Sequence, residues 1–309
     1  LHVRSRRQRQ MCIRDSGSLV ALITPMKPKS FDVDWVCFEK LIKWHIFNKT
    51  NAIVVVGTTG ESSTLSFSEH KKVIERALEY AAGEIPIIAG TGANSTSEAI
   101  ELTRSAADAG ADACLLVTPY YNKPSQNGLF EHYKLIANTV DVDQILYNVP
   151  SRTACDLLPE TIHKLSQLDN IVGVKEATGD MDRLLYLKKS CHPEFALYSG
   201  DDLTACEFML SGGHGDISVT ANIAPLLMSE FCRAAIDGKT ELARELNSKL
   251  EMLHQVLFLE SNPVPVKWAA SYLGLIDNVL RLPLVPLNAE KRVVVEKELN
   301  KLCLKGFAS

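Results

Sequence analysis

Short apolar runs alternate with amphipathic stretches along most of the chain, beginning at Ser18. Each run is rich in β-branched residues and ends in small or polar ones, which is typical of a buried parallel strand. Each stretch that follows has apolar residues near helical spacing. The runs are 18–25, 52–61, 85–93, 113–121, 144–153, 171–180, 195–202 and 215–222. The pattern therefore predicts eight strand–helix units.

Helix signals fall between these runs. The stretch from Val36 to Phe47 has apolar residues near helical spacing. Ser66 with Glu69, and Ser95 with Glu98, have the spacing of a capping box, in which two side chains bond each other's backbone N–H groups at a helix start. We therefore expect helices to begin at both serines.

Eight consecutive units over residues 17–238 predict an α/β fold, a closed (β/α)₈ TIM barrel. A doubly wound open sheet is the alternative. That fold usually has fewer strands and a G-x-G-x-x-G loop after the first one, which SLVALITPMKP lacks. Residues 239–309 show helical patterns and no strand run, so we expect a C-terminal helical appendage on the barrel.

Residues 1–16, LHVRSRRQRQMCIRDS, do not follow the pattern. They contain five Arg and one Asp, a composition that also suits a transit peptide. The stretch RRQRQMCIRDS, however, resembles the conceptual translation of a transposon-type sequencing adaptor. We therefore expect residues 1–16 to be a non-native, adaptor-derived segment and leave them out of the fold argument.

Composition and charge mainly exclude classes of function. The chain is 46% hydrophobic and 23% charged with a net charge of −4, which argues against nucleic-acid partners and anionic membranes. No apolar run approaches the roughly 18–20 residues that span a bilayer. Eight cysteines lie scattered without a C-x-x-C pair, which indicates reduced thiols in a cytoplasmic protein. The histidines lack metal-ligand spacing, so no metal is expected.

Lys175, in IVGVKEATGD, is the strongest chemical signal, because it lies near a strand end, where barrels of this kind carry their active sites. Strand alternation places Ile171, Gly173 and Lys175 on one face. If that face points inward, the amine is buried, and burial disfavours the charged form and frees the amine to attack a carbonyl. The alternative is a lysine that extends to solvent.

Other strand ends carry further candidates. Tyr147 has a phenol that suits proton transfer, or it is an ordinary core tyrosine. Thr58 and Thr59 offer hydroxyls and backbone N–H groups for a small carboxylate, or they cap a helix. Arg152 has a planar fork for a second carboxylate, or it forms a surface ion pair. Gly200 leaves room for a ligand, or it forms a plain turn.

Six motifs over roughly residues 17–300 closely resemble those of the dihydrodipicolinate synthase family of pyruvate-dependent class I aldolases. They are VGTTGES, TPYYNKPSQ, LYNVPSRT, GVKEATGD, SGDD and NPVPVKWA. The resemblance implies that Lys175 forms an imine with pyruvate and that no metal or organic cofactor is needed. It implies condensation with L-aspartate-4-semialdehyde to 4-hydroxy-tetrahydrodipicolinate, a carbon–oxygen lyase reaction of the diaminopimelate route to lysine.

The resemblance also assigns roles to individual residues. It implies that Thr58 and Thr59 bind the pyruvate carboxylate and that Tyr147 acts as acid and base over the imine. Tyr121 would reach in from the neighbouring subunit and complete a proton relay with Thr58 and Tyr147. Arg152 would hold the carboxylate of the semialdehyde at the entrance.

Further positions match the family's pocket, its regulatory site and its assembly. The backbone of Gly200 and Ile217 would line the pocket. Lysine would inhibit by feedback at a dimer-interface site, matched here by Ser62, His70, Asn94, Glu98 and Tyr120. Family members are usually tetramers of two tight dimers, so we expect a homodimer or a homotetramer. Met181 and Ser211 are smaller than the aliphatic contacts expected at the second interface, which leaves a free dimer open.

Two other functions compete with this interpretation. N-acetylneuraminate lyase and keto-deoxy sugar acid aldolases share the barrel, the lysine and the tyrosine, but their second substrate is a polyol, which Arg152 in VPSRT does not suit. A non-catalytic barrel that senses lysine belongs to a different class. The intact set of Lys175, Tyr147, Tyr121 and Thr58 argues against it.

Overall fold

Eight parallel strands close into a barrel in chain order, and the last strand pairs with the first. The structure is a computed structural model that describes residues 16–304 and 306–307. The strands are β1 Gly17–Ala21, β2 Ala52–Val55, β3 Ile87–Gly90, β4 Ala113–Val117, β5 Gln144–Asn148, β6 Ile171–Glu176, β7 Ala196–Ser199 and β8 Gly215–Ser218. The predicted TIM barrel is confirmed, and the open sheet is wrong.

Helices surround the barrel and continue beyond it. The barrel helices are α1 Trp35–Phe47, α2 Phe67–Ala81, α3 Thr96–Ala109, α4 Gln126–Thr139, α5 Pro150–Thr153, α6 Pro159–Leu165, α7 Met181–Ser190, α8 Ala205–Leu210 and α9 Pro225–Ile236. Three more follow: α10 Thr240–Val256, α11 Val264–Tyr272 and α12 Ala289–Lys301. The predicted C-terminal helical region is confirmed. It shares one hydrophobic core with β1, β2 and the first helices, so it is packed directly on the barrel.

The two predicted capping boxes have different outcomes. At α2 the box is complete, because Ser66 accepts from the N–H of Glu69 and Glu69 accepts from the N–H of Ser66. At α3 the box prediction is wrong. Ser95 precedes the helix but makes no capping hydrogen bond, and its hydroxyl lies 2.9 Å from that of Ser97.

Strand β6 departs from simple alternation at its start. The register with β5 shifts there, so that Gln144 pairs with Ile171 but Ile145 pairs with Gly173. Ile171 therefore packs outward with the helix residue Leu184, and the prediction that it shares a face with Lys175 is wrong. An irregularity of this kind turns the following side chains to the opposite face.

Three further predictions concern the chain start, the membrane and the cysteines. Residues 1–15 of the predicted adaptor-derived segment lie outside the described residues, which begin with Ser16. Across the described part of the chain, every helix is too short or too polar to cross a bilayer. The cysteines between residues 16 and 304 are all unpaired, and most are buried.

Candidate active site

Lys175 lies near the C-terminal end of β6, where it pairs in register with Tyr147 of β5 and Tyr198 of β7. Its side chain is only 5% exposed. The amine nitrogen lies over the face of the Tyr147 ring, 4.5 Å from the ring centroid. No carboxylate pairs with this amine among the described residues. The lysine is therefore turned into the barrel and does not extend to bulk solvent.

Gly200, in the loop after β7, makes room for the Lys175 side chain. A Cβ at this position would meet Cε of Lys175 at 2.6 Å and Cβ of Ala177 at 2.8 Å. Real carbon atoms do not approach this closely, so any side chain here would displace the lysine. Gly200 is therefore required because the Lys175 side chain needs the space, and not only because the chain turns there.

The turn after β2 carries Thr58 and Thr59. Its backbone is closed by the N–H of Glu61, which donates to the carbonyl of Thr58 at 3.1 Å. Glu61 has a φ of 55°, in the left-handed region, so the chain reverses sharply here. Thr59 is 3% exposed, and its hydroxyl accepts a hydrogen bond from the amide of Asn262 at 2.9 Å. A three-residue 3₁₀ turn follows, so the two threonines do not lie at the start of α2.

A cavity of about 220 Å³ joins these groups. It is lined by Thr58, Thr59, Tyr147, Arg152, Lys175 and Gly200, together with Ala21, Val54, Gly57, Leu115, Val149, Ser151, Ala177, Asp201, Val219, Phe258 and Asn262. It therefore lies at the C-terminal ends of the strands, the catalytic face of such barrels. A second cavity, lined by Asp143, Asp169 and Glu194, lies at the opposite end.

Arg152 lies at the rim of the cavity. It belongs to the short helix α5, is exposed, and reaches the hydroxyl of Ser261 at 3.5 Å. Among the described residues no carboxylate forms an ion pair with it. A guanidinium that no protein anion occupies, next to a buried amine, can take the carboxylate of a ligand.

Two predicted site residues do not line this cavity. Tyr121 is 90% exposed, with a φ of 73°, so a left-handed backbone turns its ring away from its own barrel. Ile217 is buried among the residues that fill the barrel interior. Val219, two positions along the chain, lines the cavity instead.

The residues predicted to bind lysine lie in and near the loops after β2, β3 and β4. His70 is buried, although it belongs to a helix on the outside of the barrel, and its Nε2 lies 2.8 Å from the carbonyl of Gly90. Burial lowers the pKa of His70 and favours its neutral form. Burial and the charge of Glu98 raise the pKa of Tyr120.

Charged side chains clamp the ends of β5 and β6 beside the cavity. The amide of Asn148 donates to Glu176 and to Asp156, and Arg183 bonds Asp156 through both terminal nitrogens. Burial raises the pKa of Glu176, although Asn148 and Arg183 oppose that rise. The network fixes the strand that carries the lysine.

A pair of acids supports the wall that contains Val219. Asp202 accepts hydrogen bonds from the N–H groups of Val219 and Thr220. Burial alone would raise the pKa of Asp202, but His254, Asp216, Ser218 and the N–H of Thr220 outweigh it and lower that pKa. Burial and Asp202 raise the pKa of Asp216 well above its usual range. Asp216 is therefore the protonated partner, and Asp202 carries the charge.

Sequence reasoning missed the contribution of the C-terminal region. Asn262 and Phe258 come from the segment between α10 and α11, yet both line the cavity. The signal was present, because NPVPVKWA begins at Asn262, but nothing local connects that motif to Thr59. Asn262 and Thr59 are 203 positions apart in the chain.

Comparisons with known proteins agree with this geometry. The model of the dihydrodipicolinate synthetase family matches residues 14–302. A 4-hydroxy-tetrahydrodipicolinate synthase from Alcanivorax borkumensis is 58% identical, over 88% of this chain and 92% of the relative. A chloride-inhibited dihydrodipicolinate synthase from Acinetobacter baumannii, solved with pyruvate, superposes with a TM-score of 0.92 at 55% identity, covering 94% and 99% of the two chains. The enzyme from Cyanidioschyzon merolae, solved with lysine bound, gives 0.91 at 36% identity, with 94% and 99% covered. This chain therefore belongs to the dihydrodipicolinate synthetase family.

Proposed function

We propose that Lys175 is the nucleophile with which this enzyme condenses pyruvate and L-aspartate-4-semialdehyde to 4-hydroxy-tetrahydrodipicolinate, in the biosynthesis of lysine. The single observation that carries the assignment is the setting of the amine. It is buried, has no carboxylate partner among the described residues, and lies in one cavity with two threonines and an arginine. The family works through a lysine imine and needs no further cofactor.

The chemistry follows from an amine and two anchored carboxylates. The amine adds to C2 of pyruvate, and loss of water gives a protonated imine. That cation draws electrons from C3, which loses a proton to give an enamine. C3 then forms a bond to the aldehyde carbon, whose oxygen takes up a proton. Finally the substrate's own amino group attacks C2 and displaces Lys175, which closes the ring and frees the enzyme.

The surrounding residues divide this work between them. Thr58 and Thr59 hold the pyruvate carboxylate deep in the cavity, where hydroxyl and N–H donors suit an anion. Tyr147, beneath the amine, transfers protons during formation of the imine. Arg152 holds the second carboxylate at the rim, so that the aldehyde meets the enamine in a productive orientation. Gly200 and Ile217 contribute backbone, Gly200 in the cavity wall and Ile217 in the layer beneath it.

Substrate choice separates this function from the sister aldolases. We expect turnover with pyruvate and the semialdehyde, and none above background with N-acetylmannosamine or keto-deoxy sugar acids. Turnover of a sugar acid with no reaction of the semialdehyde would overturn the assignment. The curated relatives carry the synthase name, which speaks against both the sugar-acid aldolases and a non-catalytic lysine sensor.

Tyr121 is assigned to the site of the neighbouring subunit, which makes a homodimer the smallest active unit. Its exposure of 90% and its left-handed backbone support the proposal, because an aromatic side chain held outward suits burial by a second copy. We expect Tyr121→Phe to lower kcat by about 10²-fold, the usual contribution of a positioned proton carrier.

Mixing two inactive variants tests the shared site. In a hybrid of Tyr121→Phe with Lys175→Met, one of the two sites holds both intact residues. Random exchange of subunits should restore about a quarter of the wild-type activity, since half of the dimers are hybrids and each has one working site. No recovery after verified exchange would place Tyr121 in its own subunit's site or outside catalysis.

Feedback inhibition by lysine is the regulatory part of the proposal. Ser62, His70, Asn94, Glu98 and Tyr120 supply the site. Glu98 supplies a carboxylate and Tyr120 a phenol, and both groups can bind the amino groups of lysine. Titration calorimetry should show lysine binding in the millimolar range or tighter, and Glu98→Gln should weaken it. Absence of heat at millimolar lysine would remove the regulation and leave the catalytic proposal untouched.

Assembly and location complete the proposal. A homotetramer of two dimers, or a free dimer in which Met181 and Ser211 replace the expected aliphatic contacts of the second interface, is expected in the cytoplasm. The unpaired cysteines of the described chain support a reducing compartment. Sedimentation velocity would distinguish dimer from tetramer.

A further inference from the structure

Asn262 reaches the active site from outside the eight barrel units. It follows α10, is 5% exposed, and lines the cavity that contains Lys175. Its amide nitrogen lies 2.9 Å from the hydroxyl oxygen of Thr59, and its own carbonyl oxygen has no hydrogen-bond partner among the described residues. The contact to Thr59 is therefore the polar interaction that holds this amide.

The direction of this hydrogen bond decides what Thr59 can bind. A hydroxyl has one proton and two lone pairs, whereas an amide nitrogen can only donate. Because Asn262 donates, the Thr59 oxygen is the acceptor, and its own proton must point elsewhere. Thr59 lines the cavity, so the hydroxyl is available there as a donor. A carboxylate, which only accepts, is the complementary ligand.

Buried contacts also join the turn that carries Thr59 to the C-terminal segment that carries Asn262. Lys267, five residues after Asn262, is fully buried, donates to the carbonyl of Thr24 and pairs with Glu61, two residues after Thr59. The hydroxyl of Thr24 in turn donates to the carbonyl of Gly60 at 2.7 Å. Neither the turn nor the C-terminal segment can shift without breaking these buried contacts.

We propose that Asn262 is a positioning residue that holds the Thr59 hydroxyl as a hydrogen-bond donor toward the substrate carboxylate, and so contributes to selection of an anionic substrate. This inference rests on the proposed function, because it assumes that pyruvate occupies the cavity. It gives the C-terminal region a role in substrate recognition as well as in packing.

Reversal of the hydrogen bond is the direct test. In Asn262→Asp an acceptor replaces the donor, so Thr59 turns its proton toward the introduced carboxylate and no longer offers it to the substrate. We expect the KM for pyruvate to rise about tenfold or more, as for loss of a hydrogen bond to a charged group, with kcat within about threefold. Asn262→Ala should raise this KM only a few-fold, because the Thr59 hydroxyl is then free to rotate. The KM for the semialdehyde should change little in both variants.

A second background distinguishes positioning from a general structural effect. Thr59→Val removes the hydroxyl and keeps the side-chain shape. In that background Asn262→Ala should change the pyruvate KM by less than about twofold, since the two residues act as one unit. Asn262→Asp should raise it less than it does in the wild-type background, because only the repulsion between the introduced carboxylate and the substrate remains. Asn170→Asp is the matched control: its amide also donates, but to the carbonyls of Ala137 and Val140 near the opposite end of the barrel. It should leave the pyruvate KM unchanged.

Two results would overturn the inference. One is an unchanged pyruvate KM in folded Asn262→Asp, which would show that Asn262 does not set the proton of Thr59. The other is an equal rise in the Thr59→Val background, which would show that Asn262 acts by another route. Should Asn262→Asp fail to fold, Asn262→Ala decides by the same criteria. Failure of the wild-type enzyme to form a reducible pyruvate adduct would instead overturn the proposed function.

Discussion

Lys175 and Lys267 are both buried, yet the structure holds them in different ways. Lys267 is fully enclosed, with Glu61 at 2.5 Å and the carbonyl of Thr24 at 2.9 Å. Lys175 is 5% exposed, lies over an aromatic ring, and opens onto a cavity. One amine has a permanent anionic partner, and the other, among the described residues, has none.

The difference shows that the partner, and not burial alone, decides what a buried lysine does. Burial lowers the pKa of Lys267, but Glu61 opposes that effect and holds the ammonium form. Such a lysine ties two segments together and is a poor nucleophile. Lys175 forms no ion pair with a carboxylate among the described residues, and its amine faces the cavity that would hold a carbonyl substrate.

Removal of the amine of Lys175 should have the largest effect on activity. Lys175→Met keeps the length and the apolar stem of the side chain. We expect kcat to fall by about 10³-fold or more, because no other amine in the cavity can form the imine. The melting temperature should stay the same or rise, since a buried polar group is lost. Full turnover in a pure, folded sample would contradict the assignment.

Removal of the amine of Lys267 should instead affect stability most. Lys267→Met leaves the Glu61 carboxylate buried without the ammonium that balances its charge, which costs about 3–5 kcal/mol. Glu61→Gln combined with Lys267→Met should recover most of that loss. Thermal melting at a fixed protein concentration measures both. If the single variant were as stable as the wild type, the Lys267–Glu61 ion pair would not hold the two segments together.

Replacement of Arg152 tests which of the two substrate carboxylates this side chain binds. Arg152→Ala should raise the KM for the semialdehyde by about 10- to 100-fold, the value of a charge-assisted contact to a carboxylate. The KM for pyruvate should change little, because its carboxylate lies against the threonines. Steady-state kinetics with each substrate varied in turn provides the measurement. A larger rise in the KM for pyruvate would mean that Arg152 binds the pyruvate carboxylate and that the threonines bind the carboxylate of the semialdehyde.

The smallest expected effect is a change with pH in the stability that the charged groups near Lys267 provide. Arg281 donates its backbone N–H to Glu61 and its guanidinium to Glu69, which lowers the pKa of Glu69 to about 2. The stabilisation by Glu69 is therefore present above its unfolded pKa of 4.5 and is lost as the pH falls toward 2.

The difference in melting temperature between the wild type and Arg281→Met should therefore shrink between about pH 6 and about pH 3. The remaining difference reflects the contacts of Arg281 with the carbonyls of Phe31 and Thr64, which do not titrate. A difference that stayed constant over this range would show that the ion pair contributes nothing to folding.

Local periodicity was enough to predict the barrel, because few other folds accommodate eight buried strands that each precede a helix. It was also enough to find Lys175, Tyr147 and Arg152 at strand ends. The outward turn of Ile171 could not be predicted, since it depends on the register that β6 adopts against β5. The absence of a cap at Ser95 likewise depends on which neighbour its hydroxyl meets.

Contacts between distant segments could not be read from the sequence. Asn262 and Thr59, like Lys267 and Glu61, are more than 200 positions apart. No periodicity or spacing connects them, because the packing of the C-terminal helices on the barrel brings them together. The assignment of Tyr121 to a second subunit came from family resemblance, and only its outward placement is visible in one chain.

Reductive trapping tests the role of Lys175 most directly. The protein is incubated with pyruvate, treated with borohydride and digested, and the adduct is located by mass spectrometry. We expect one reduced pyruvate adduct, on the peptide that contains Lys175, and no adduct on Lys267, which is fully buried and paired with Glu61. Labelling of Lys267, or no labelling of Lys175 in active enzyme, would contradict the assignment of the nucleophile.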